Sequence, residues 1–329
     1  MRTFGKWLGR VLLALLVVAG GLWVFGPYEE VDLQAEFEPR KFGEGVQVYF
    51  ESIESRFDDI TPGVEKRVVW AGQQETRTPI SVLYVHGFSA TSEEIRPVPD
   101  EIASTLGANL VYTRLTGHGR PGAAMVEATP NAWMQDLAEA LAAARHVGDR
   151  VVVISTSTGG TLSAAAALDS DLSRDVAAMI FVSPNFGVND PLDFMLTWPA
   201  SRWWLPIVMG GERSFDSDDP DQNTYWTRSY SWEAVVPMAA LVQEVAVQDF
   251  GAANIPALFW FSMDDQVVRP EETVRIADRW GGPAEVVNVT MGPGDDPSSH
   301  VIAGRIVSPG QTVPAVAGML DWLAEQGIE

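Results

Sequence analysis

The feature that most constrains this chain is the stretch over residues 151–160, which reads VVVISTSTGG. Its leading apolar, β-branched residues predict a strand buried on both faces, because such a strand needs no polar alternation. Small polar residues then force a turn, and the alanine-rich run after Thr161 favours a helix. A strand, a tight turn with Ser157 at its apex and a helix form the geometry of a nucleophile elbow. The alternative is an ordinary turn rich in serine and threonine.

The motif around the apex departs from the usual pattern at one position. That pattern is Gly-x-Ser-x-Gly, and Ser155 occupies the first glycine position whereas Gly159 occupies the last. The first position needs a small side chain so that strand and helix can pack closely, and serine is the mildest departure. Ser155 is the alternative nucleophile, but it falls within the predicted strand and Ser157 falls on the turn.

The charge and the residue inventory exclude several classes of function. The chain of 329 residues carries a formal charge of −22, which argues against nucleic-acid binding and would repel anionic lipids and anionic substrates. It contains no cysteine, so disulfides, thiolate metal sites and a cysteine nucleophile are excluded. The four histidines are widely scattered and show no metal-ligand spacing. We therefore expect no metal site and no cofactor.

The chain begins with a basic and then apolar segment. Arg2, Lys6 and Arg10 precede an apolar run over residues 11–26. We predict that residues 1–28 form an uncleaved N-terminal anchor, because aromatic residues flank the run and a basic end stays in the cytoplasm. The rest of the protein would then lie outside the cytoplasm, in the periplasm or the extracellular space. Secretion after cleavage of a signal segment is the alternative.

The remainder divides into a linker and one large domain. Residues 29–40 are acidic, lack clear periodicity and are predicted to be a linker. Residues 41–329 alternate between strand and helix signals, which predicts an α/β fold with a mostly parallel sheet and helices on both faces. Residues 185–250 break this rhythm, are rich in tryptophan, proline and aspartate, and are predicted to be an insertion.

One helix in this domain carries a start signal of its own. Thr91 and Glu94 have the spacing of a capping box, in which the glutamate reaches back to the backbone at the helix start. Apolar residues at helical spacing follow from Ile95 to Leu106, and Gly107 then ends the run. The pattern predicts a helix that begins near Thr91.

Polar residues that follow three predicted strands are expected to meet at one edge of the sheet, because the carboxyl ends of parallel strands lie together. Ser157 follows the first of these strands, Asp264 and Asp265 follow the second, and His300 lies in the loop after the third. A serine hydroxyl is a weak nucleophile, so it needs a base and a group that orients the base. The order Ser, Asp, His along the chain is that of the α/β-hydrolase triad.

A fourth stretch, around Phe88, follows an earlier strand, where an oxyanion-hole amide is expected. With it, the chain resembles serine α/β-hydrolases of the lysophospholipase, monoacylglycerol-lipase and carboxylesterase type. The motifs that carry the resemblance are VHGF at 85–88, TGHG at 116–119, STSTG at 155–159, DQVV at 265–268 and SH at 299–300. Together they span the chain from about Lys66 to its C-terminus.

The resemblance implies a role for each matching residue. Ser157 would attack the acyl carbon, His300 would act as general base and then general acid, and Asp265 would hold the imidazole in its useful tautomer. The backbone N–H groups of Phe88 and Thr158 would receive the oxyanion. The alternatives are Asp264 as the acid and His86 as the base, although His86 is expected to support the oxyanion loop.

The insertion stands where this group of enzymes carries a cap over the active site. We predict that Trp203, Trp204 and Trp226 bind substrate by lining an apolar acyl pocket; the alternative is that they form the core of the cap. The acidic run over residues 216–221 lacks the glycine and distal glutamate of a calcium loop and is predicted to be a solvated turn.

The predicted function is a serine hydrolase that cleaves carboxylic esters, lipid-like or small, through an acyl-enzyme intermediate. Two alternatives remain: an aminopeptidase of the same fold, and a non-catalytic binding protein on a hydrolase scaffold. The expected partners are a small-molecule ester or lipid and, through the N-terminal segment, a membrane. No nucleic acid is expected.

Overall fold

The computed structural model of the protein describes residues 2–329, with side chains from Phe4 onward, so Met1 of the predicted 1–28 segment lies outside it. Strands make up the centre of the structure. In chain order they are β1 Arg67–Val69, β2 Thr78–Val85, β3 Asn109–Tyr112, β4 Gly148–Thr156, β5 Val176–Val182, β6 Glu212–Ser214, β7 Ser229–Ser231, β8 Ala257–Phe261 and β9 Ala284–Asn288.

Seven of these strands form one sheet in the order β1-β3-β2-β4-β5-β8-β9. Strand β1 runs antiparallel to β3, and all other neighbours in the sheet are parallel. Strands β6 and β7 form a separate antiparallel ribbon. The predicted, mostly parallel sheet is confirmed, and β4 lies at its centre.

Helices cover both faces of this sheet. The α-helices of the described residues, including those outside the sheet layers, are in chain order α1 Arg2–Phe25, α2 Val46–Glu54, α3 Val98–Thr105, α4 Pro130–Val147, α5 Thr158–Ala167, α6 Ser201–Met209, α7 Pro220–Tyr225, α8 Val235–Ala246, α9 Pro270–Ala277 and α10 Pro309–Glu325. Val151 and Val153 of β4 pack into a core shared with α4, α5 and α8, whereas Val152 and Ile154 pack into a second core with α3 and α10. The continuous apolar run of β4 therefore reflects burial on both faces.

The helix predicted to begin at Thr91 begins later. Residues 91–97 form turns, and α3 starts at Val98. Pro97 explains the delay, because the residue before a proline is pushed away from helical backbone angles. Glu94 is thereby freed from a capping role, and its carboxylate turns to the N–H of Gly87 instead.

The predicted insertion is smaller than its sequence limits. Helix α6, the β6–β7 ribbon and α7 lie between the strands β5 and β8 and form a cap. Helix α8 also lies within residues 185–250, but its buried side chains, including Val236 and Leu241, pack in the same core as those of α5. The C-terminal part of the insertion is therefore built into the body of the domain.

The N-terminal helix stands apart from the core. Its segment Phe4–Phe25 has a mean hydropathy of 2.2, and no residue of it is buried. A helix of 22 residues is about 33 Å long, enough to cross the hydrocarbon core of a bilayer. The predicted linker after it is not free, because Ala35 is buried and the Asn131 amide donates to the carbonyl of Gln34.

Candidate active site

Ser157 lies at a strained turn between β4 and α5. Its backbone angles are φ 50° and ψ −119°, a combination that side chains rarely adopt. Its N–H donates to the carbonyl of Val182 at 3.0 Å, which ties the turn to β5. A Cβ on Gly159 would lie 2.3 Å from the carbonyl oxygen of Val85, so only glycine fits there. Ser155 lies within β4 and is completely buried.

The structure brings three of the predicted side chains together. Ser157 Oγ lies 3.1 Å from His300 Nε2, and His300 Nδ1 lies 2.8 Å from Asp265 Oδ2. The other carboxylate oxygen of Asp265 accepts the N–H groups of Val267 and Val268, at 2.8 and 3.0 Å. Because two backbone groups fix its carboxylate, Asp265 is held in one orientation toward the imidazole.

The alternative acid and the alternative base lie elsewhere. Asp264 is exposed, and its backbone N–H donates to Ser262 Oγ. His86 is completely buried, and its Nε2 accepts the N–H of Leu115 at 3.1 Å. Burial lowers the pKa of His86 to about 4, so it is neutral and joins two loops.

Asp296 also positions the histidine and was not anticipated from the sequence. Its Oδ2 accepts the backbone N–H groups of His300 and Val301, at 3.0 and 2.8 Å. The backbone N–H of Asp296 in turn donates to the hydroxyl oxygen of Ser308 at 3.0 Å. The loop after β9 is therefore fixed by side chain to backbone bonds, which require an acidic residue but leave no periodic signal in the sequence.

Opposing effects set the protonation of His300. Burial is the largest single effect and disfavours the imidazolium, but the surrounding carboxylates, above all that of Asp265, together outweigh burial and raise the pKa of His300. Glu94 and Asp296 add smaller effects of the same sign. The imidazole is thus able both to accept a proton and to hold it.

Two backbone N–H groups stand beside the serine. Phe88 follows β2, Thr158 begins α5, and both line the same cavity as Ser157. Within residues 2–329, neither N–H donates a hydrogen bond to a protein acceptor. The N–H of Thr158 is one of the groups that a helix start leaves without a partner, so both are available to a ligand oxygen.

Glu94 places a second carboxyl in the site. It is buried, it lines the cavity, and its Oε2 accepts the Gly87 N–H at 2.7 Å and the Tyr84 hydroxyl at 2.9 Å. Burial raises the pKa of Glu94 to about 7, although these two hydrogen bonds oppose the shift. The sequence pattern predicted a helix cap for this residue and gave no sign of its contact with the loop after β2.

The cavity above Ser157 has a volume of about 730 Å³. Cap and body both contribute to its walls, mostly through apolar side chains. These include Val188, Leu192, Met195, Leu196, Leu205, Met209, Phe215, Trp226, Tyr230, Trp232, Val235 and Met238. A cavity of this size and composition accommodates a small apolar ligand.

The predicted substrate-binding tryptophans divide between wall and surface. Trp226 lines the cavity, as does Trp232, which the prediction omitted. Trp203 and Trp204 are not part of the wall: Trp203 faces outward with 62% exposure, and the indole N–H of Trp204 donates to the carbonyl of Pro199. Residues adjacent on a helix point in different directions, so composition alone could not assign their faces.

Among residues 2–329, no cluster of three or more histidine, cysteine or acidic side chains is arranged to hold a metal ion. The acidic run in the cap is engaged within the protein. Asp219 accepts the N–H groups of Asp221 and Gln222 at the start of α7, and Asp221 pairs with Arg305.

Comparison with known proteins places this geometry in a family. The Hydrolase_4 family, described as serine aminopeptidase, S33, matches residues 77–290, more than half of the chain. His300 lies just beyond the matched residues. A thermostable monoacylglycerol lipase from Bacillus sp. (strain H-257) is 27% identical over 199 residues, which cover 58% of this chain and 73% of that protein.

Solved structures share the fold at lower identity. A structure reported for LipS and LipT, two metagenome-derived lipolytic enzymes, has a TM-score of 0.63 at 18% identity, covering 81% of this chain and 99% of its own. The monoacylglycerol lipase of Paleococcus ferrophilus has a TM-score of 0.55 at 14% identity, covering 80% and 99%. The elbow serine, the parallel sheet and the match over residues 77–290 agree: the chain belongs to the Hydrolase_4 family of serine α/β-hydrolases.

Proposed function

We propose that this protein is a membrane-anchored serine esterase that hydrolyses uncharged carboxylic esters with an apolar acyl chain. The observation that carries the proposal is the continuous contact from Ser157 Oγ through His300 to Asp265, at 3.1 and 2.8 Å, at the wall of an apolar cavity. This arrangement supplies a nucleophile, a base and a group that orients the base.

The reaction proceeds in two stages. Ser157 Oγ attacks the ester carbonyl as His300 Nε2 takes its proton, and the oxyanion is held by the N–H groups of Phe88 and Thr158. Each such donor is worth roughly 3–4 kcal/mol in a comparable serine hydrolase. The C–O bond then breaks, the alcohol leaves with the proton from His300, and an acyl-serine remains. Water, deprotonated by His300, attacks this ester and releases the carboxylic acid and free Ser157.

Cavity chemistry and relatives support a lipid-like substrate. Side chains such as Met195, Leu196 and Leu205 offer an apolar wall to an acyl chain, and the net charge of −22 disfavours anionic substrates. The relative from Bacillus is named a monoacylglycerol lipase. A monoacylglycerol is uncharged and has one acyl chain, so it suits this cavity.

The proposed organisation assigns residues 1–28 to the anchor and 29–40 to the connection. Residues 41–329 form the hydrolase domain, with the cap inserted within 185–250. The basic residues in the N-terminal part of α1 favour a cytoplasmic N-terminus, which leaves the domain in the periplasm or the extracellular space. Retention of the full chain in washed membranes, and release of a chain that starts at Tyr28, would support an uncleaved anchor over a signal segment.

The Ser157→Ala variant tests the chemistry. It should lose hydrolysis of p-nitrophenyl esters and labelling by a fluorophosphonate probe while its circular dichroism stays that of the wild type. Ser155→Ala is the matched control, because its hydroxyl lies two residues away in β4, and it should retain both activities. Full activity in Ser157→Ala would disprove the assignment, and absence of labelling in the wild type would favour a non-catalytic scaffold.

Besides the description of the family, the aminopeptidase alternative has one structural observation in its favour. Acidic side chains, among them Asp190, Asp193 and Asp216, line the cavity and offer partners to a substrate amine. Asp193 is already paired with Arg269, at 2.7 Å, so it is less able to bind a substrate amine. Turnover of aminoacyl anilides faster than esters of matched length would favour the aminopeptidase.

A further inference from the structure

An exposed apolar surface lies on the cap. All large apolar side chains that are exposed between residues 127 and 246 fall within residues 192–209. We call this set the cap face; its members are Leu192, Phe194, Trp198, Trp203, Ile207, Val208 and Met209. Exposed patches of this kind mark sites that contact another apolar surface.

Helix α6 exposes more large apolar side chains than a helix in water usually does. It buries Ser201 and Leu205, whereas Ile207 is 83% exposed and Val208 is 63% exposed. Its one charged residue, Arg202, is bound to Glu29 through two hydrogen bonds of 2.5 and 2.7 Å. The outer surface of α6 therefore presents apolar atoms without a free charge.

The cap face is joined to the end of the apolar N-terminal helix. Besides the ion pair of Arg202 and Glu29, the N–H of Ala200 donates to the carbonyl of Pro27 at 2.7 Å. The ring of Trp23 packs edge-on against Trp198, with ring centroids 6.2 Å apart. These contacts fix the cap beside the point at which α1 ends.

The position of this junction determines what covers the cap face. If α1 crosses a bilayer, Trp23 and Tyr28 lie at the level of the lipid headgroups, where tryptophan and tyrosine are favoured. Trp198 packs against Trp23 and against Phe194, so the cap face begins at that same level. The apolar surface and the outer boundary of the bilayer are thus continuous.

We propose that the cap face rests on the surface of the bilayer that holds α1, and that lipid substrate enters the cavity directly from it. Leu192 and Met209 are members of the cap face and also line the cavity above Ser157. An acyl chain passing between them goes from lipid to cavity without crossing water. The inference rests on the anchor proposed above but not on the ester chemistry.

Spin labelling tests this placement, and the absence of native cysteine makes a single label unambiguous. The full chain with Ile207→Cys is labelled with a nitroxide and reconstituted in phosphatidylcholine vesicles, and intact mass verifies that α1 is present. Val313→Cys is the control, because Val313 is 72% exposed on α10 of the body. The nitroxide at position 207 should collide more often with oxygen, which concentrates in the bilayer, than with a water-soluble nickel complex. The nitroxide at position 313 should collide more often with the nickel complex.

Equal nickel accessibility at the two positions would overturn the proposal. So would spin–spin broadening at position 207 without exposure to oxygen, because that result would mean that a second copy covers the cap face. The measurement requires no turnover, so it decides the placement even if the proposed esterase activity fails.

A kinetic measurement tests whether the cap face helps lipid substrate to enter from the bilayer. The triple variant Trp203→Ser, Ile207→Ser, Val208→Ser should hydrolyse monooleoylglycerol in vesicles about tenfold more slowly than the wild type, because its surface contact is weakened. Its rate on the soluble ester p-nitrophenyl butyrate should be unchanged, and Val313→Ser should alter neither rate. Equal loss on both esters would indicate damage to the site and would contradict the proposal.

Discussion

Glu94 Oε2 accepts the N–H of Gly87 at 2.7 Å, so a buried carboxyl lies directly behind the loop that presents Phe88. On its other side, a Cβ added to Gly87 would lie 2.7 Å from Glu94 Oε1 and 3.0 Å from Ser157 Cβ. Glu94 is thus a neighbour of the nucleophile as well as a support for the loop. Its charge also acts on His300 and raises the pKa of that imidazole.

Replacing Asp265 should nearly abolish turnover. Asp265→Asn keeps the size of the side chain but favours the wrong imidazole tautomer, which lowers kcat by about 10⁴-fold in a comparable triad. Asp264→Asn is the matched control and should stay within about twofold of the wild type, because its side chain is exposed. Steady-state hydrolysis of p-nitrophenyl butyrate measures both, and a larger loss in the control would reassign the acid.

Glu94→Gln should shift the pH profile of kcat/KM toward acid. His300 must be neutral to accept the serine proton, and the carboxylates of Asp265, Glu94 and Asp296 all raise its pKa. Removal of one negative charge makes the imidazolium less stable, so the pKa of His300 falls and the acid limb moves to lower pH. An unchanged acid limb would show that Glu94 is not ionised when His300 titrates.

The same variant should change how stability depends on pH. Burial raises the pKa of Glu94 from 4.5 to about 7, so the native state binds more protons than the unfolded chain between these values. The contribution of the Glu94 carboxyl to the unfolding free energy is fully present below pH 4.5 and is lost as pH rises through 7. The unfolding free energy of Glu94→Gln minus that of the wild type should therefore increase by on the order of 2–3 kcal/mol from pH 4.5 to pH 8. Urea unfolding at both values measures this difference, and a constant difference would refute it.

Gly159→Ala should destabilise the protein through its backbone neighbours. The new Cβ would lie 2.3 Å from the carbonyl oxygen of Val85 and 2.6 Å from that of His86, neither of which can rotate away. We expect a loss of about 2 kcal/mol or more in unfolding free energy. Gly72→Ala, where no atom lies within 4 Å, should stay within about 0.5 kcal/mol of the wild type. Similar values for the two variants would mean that the elbow relaxes.

Trp226 and Trp203 should differ on soluble esters. Trp226 is nearly buried and lines the cavity, so Trp226→Ala removes acyl contacts and should lower kcat/KM for medium-chain esters by about tenfold. Trp203→Ala should leave these values unchanged because its side chain faces outward. A panel of p-nitrophenyl esters of increasing length measures both, with thermal unfolding as the control for folding. The same chain-length profile in both variants would place the acyl group elsewhere.

The residues predicted best from the sequence are those whose position follows from the end of a strand. Ser157 was located because an apolar run, a turn and an alanine-rich helix are local signals. The serine hydrolase class and the mostly parallel sheet were predicted and are confirmed by the family match and the topology. The catalytic roles of Asp265 and His300 stay predictions that the experiments above address.

The features that were missed depend on tertiary contacts. Glu94 fits a capping pattern equally well, and only Pro97 and the nearby oxyanion loop decide its position. Trp203 and Trp204 look alike in composition, but the direction of each depends on which face of α6 packs on the body. Helix α8 was assigned to the insertion because its chain neighbours are irregular, although its side chains complete the main core.

The order of the strands has a consequence for the time at which activity arises during synthesis. His300 lies in the loop after β9, the last strand of the sheet in chain order, and α10 must still pack behind it. A nascent chain that ends before residue 300 carries Ser157 without His300, its predicted base. With these predicted roles, hydrolysis can begin only after residue 300 and α10 have been synthesised, so a shorter nascent chain is expected to be inert toward esters.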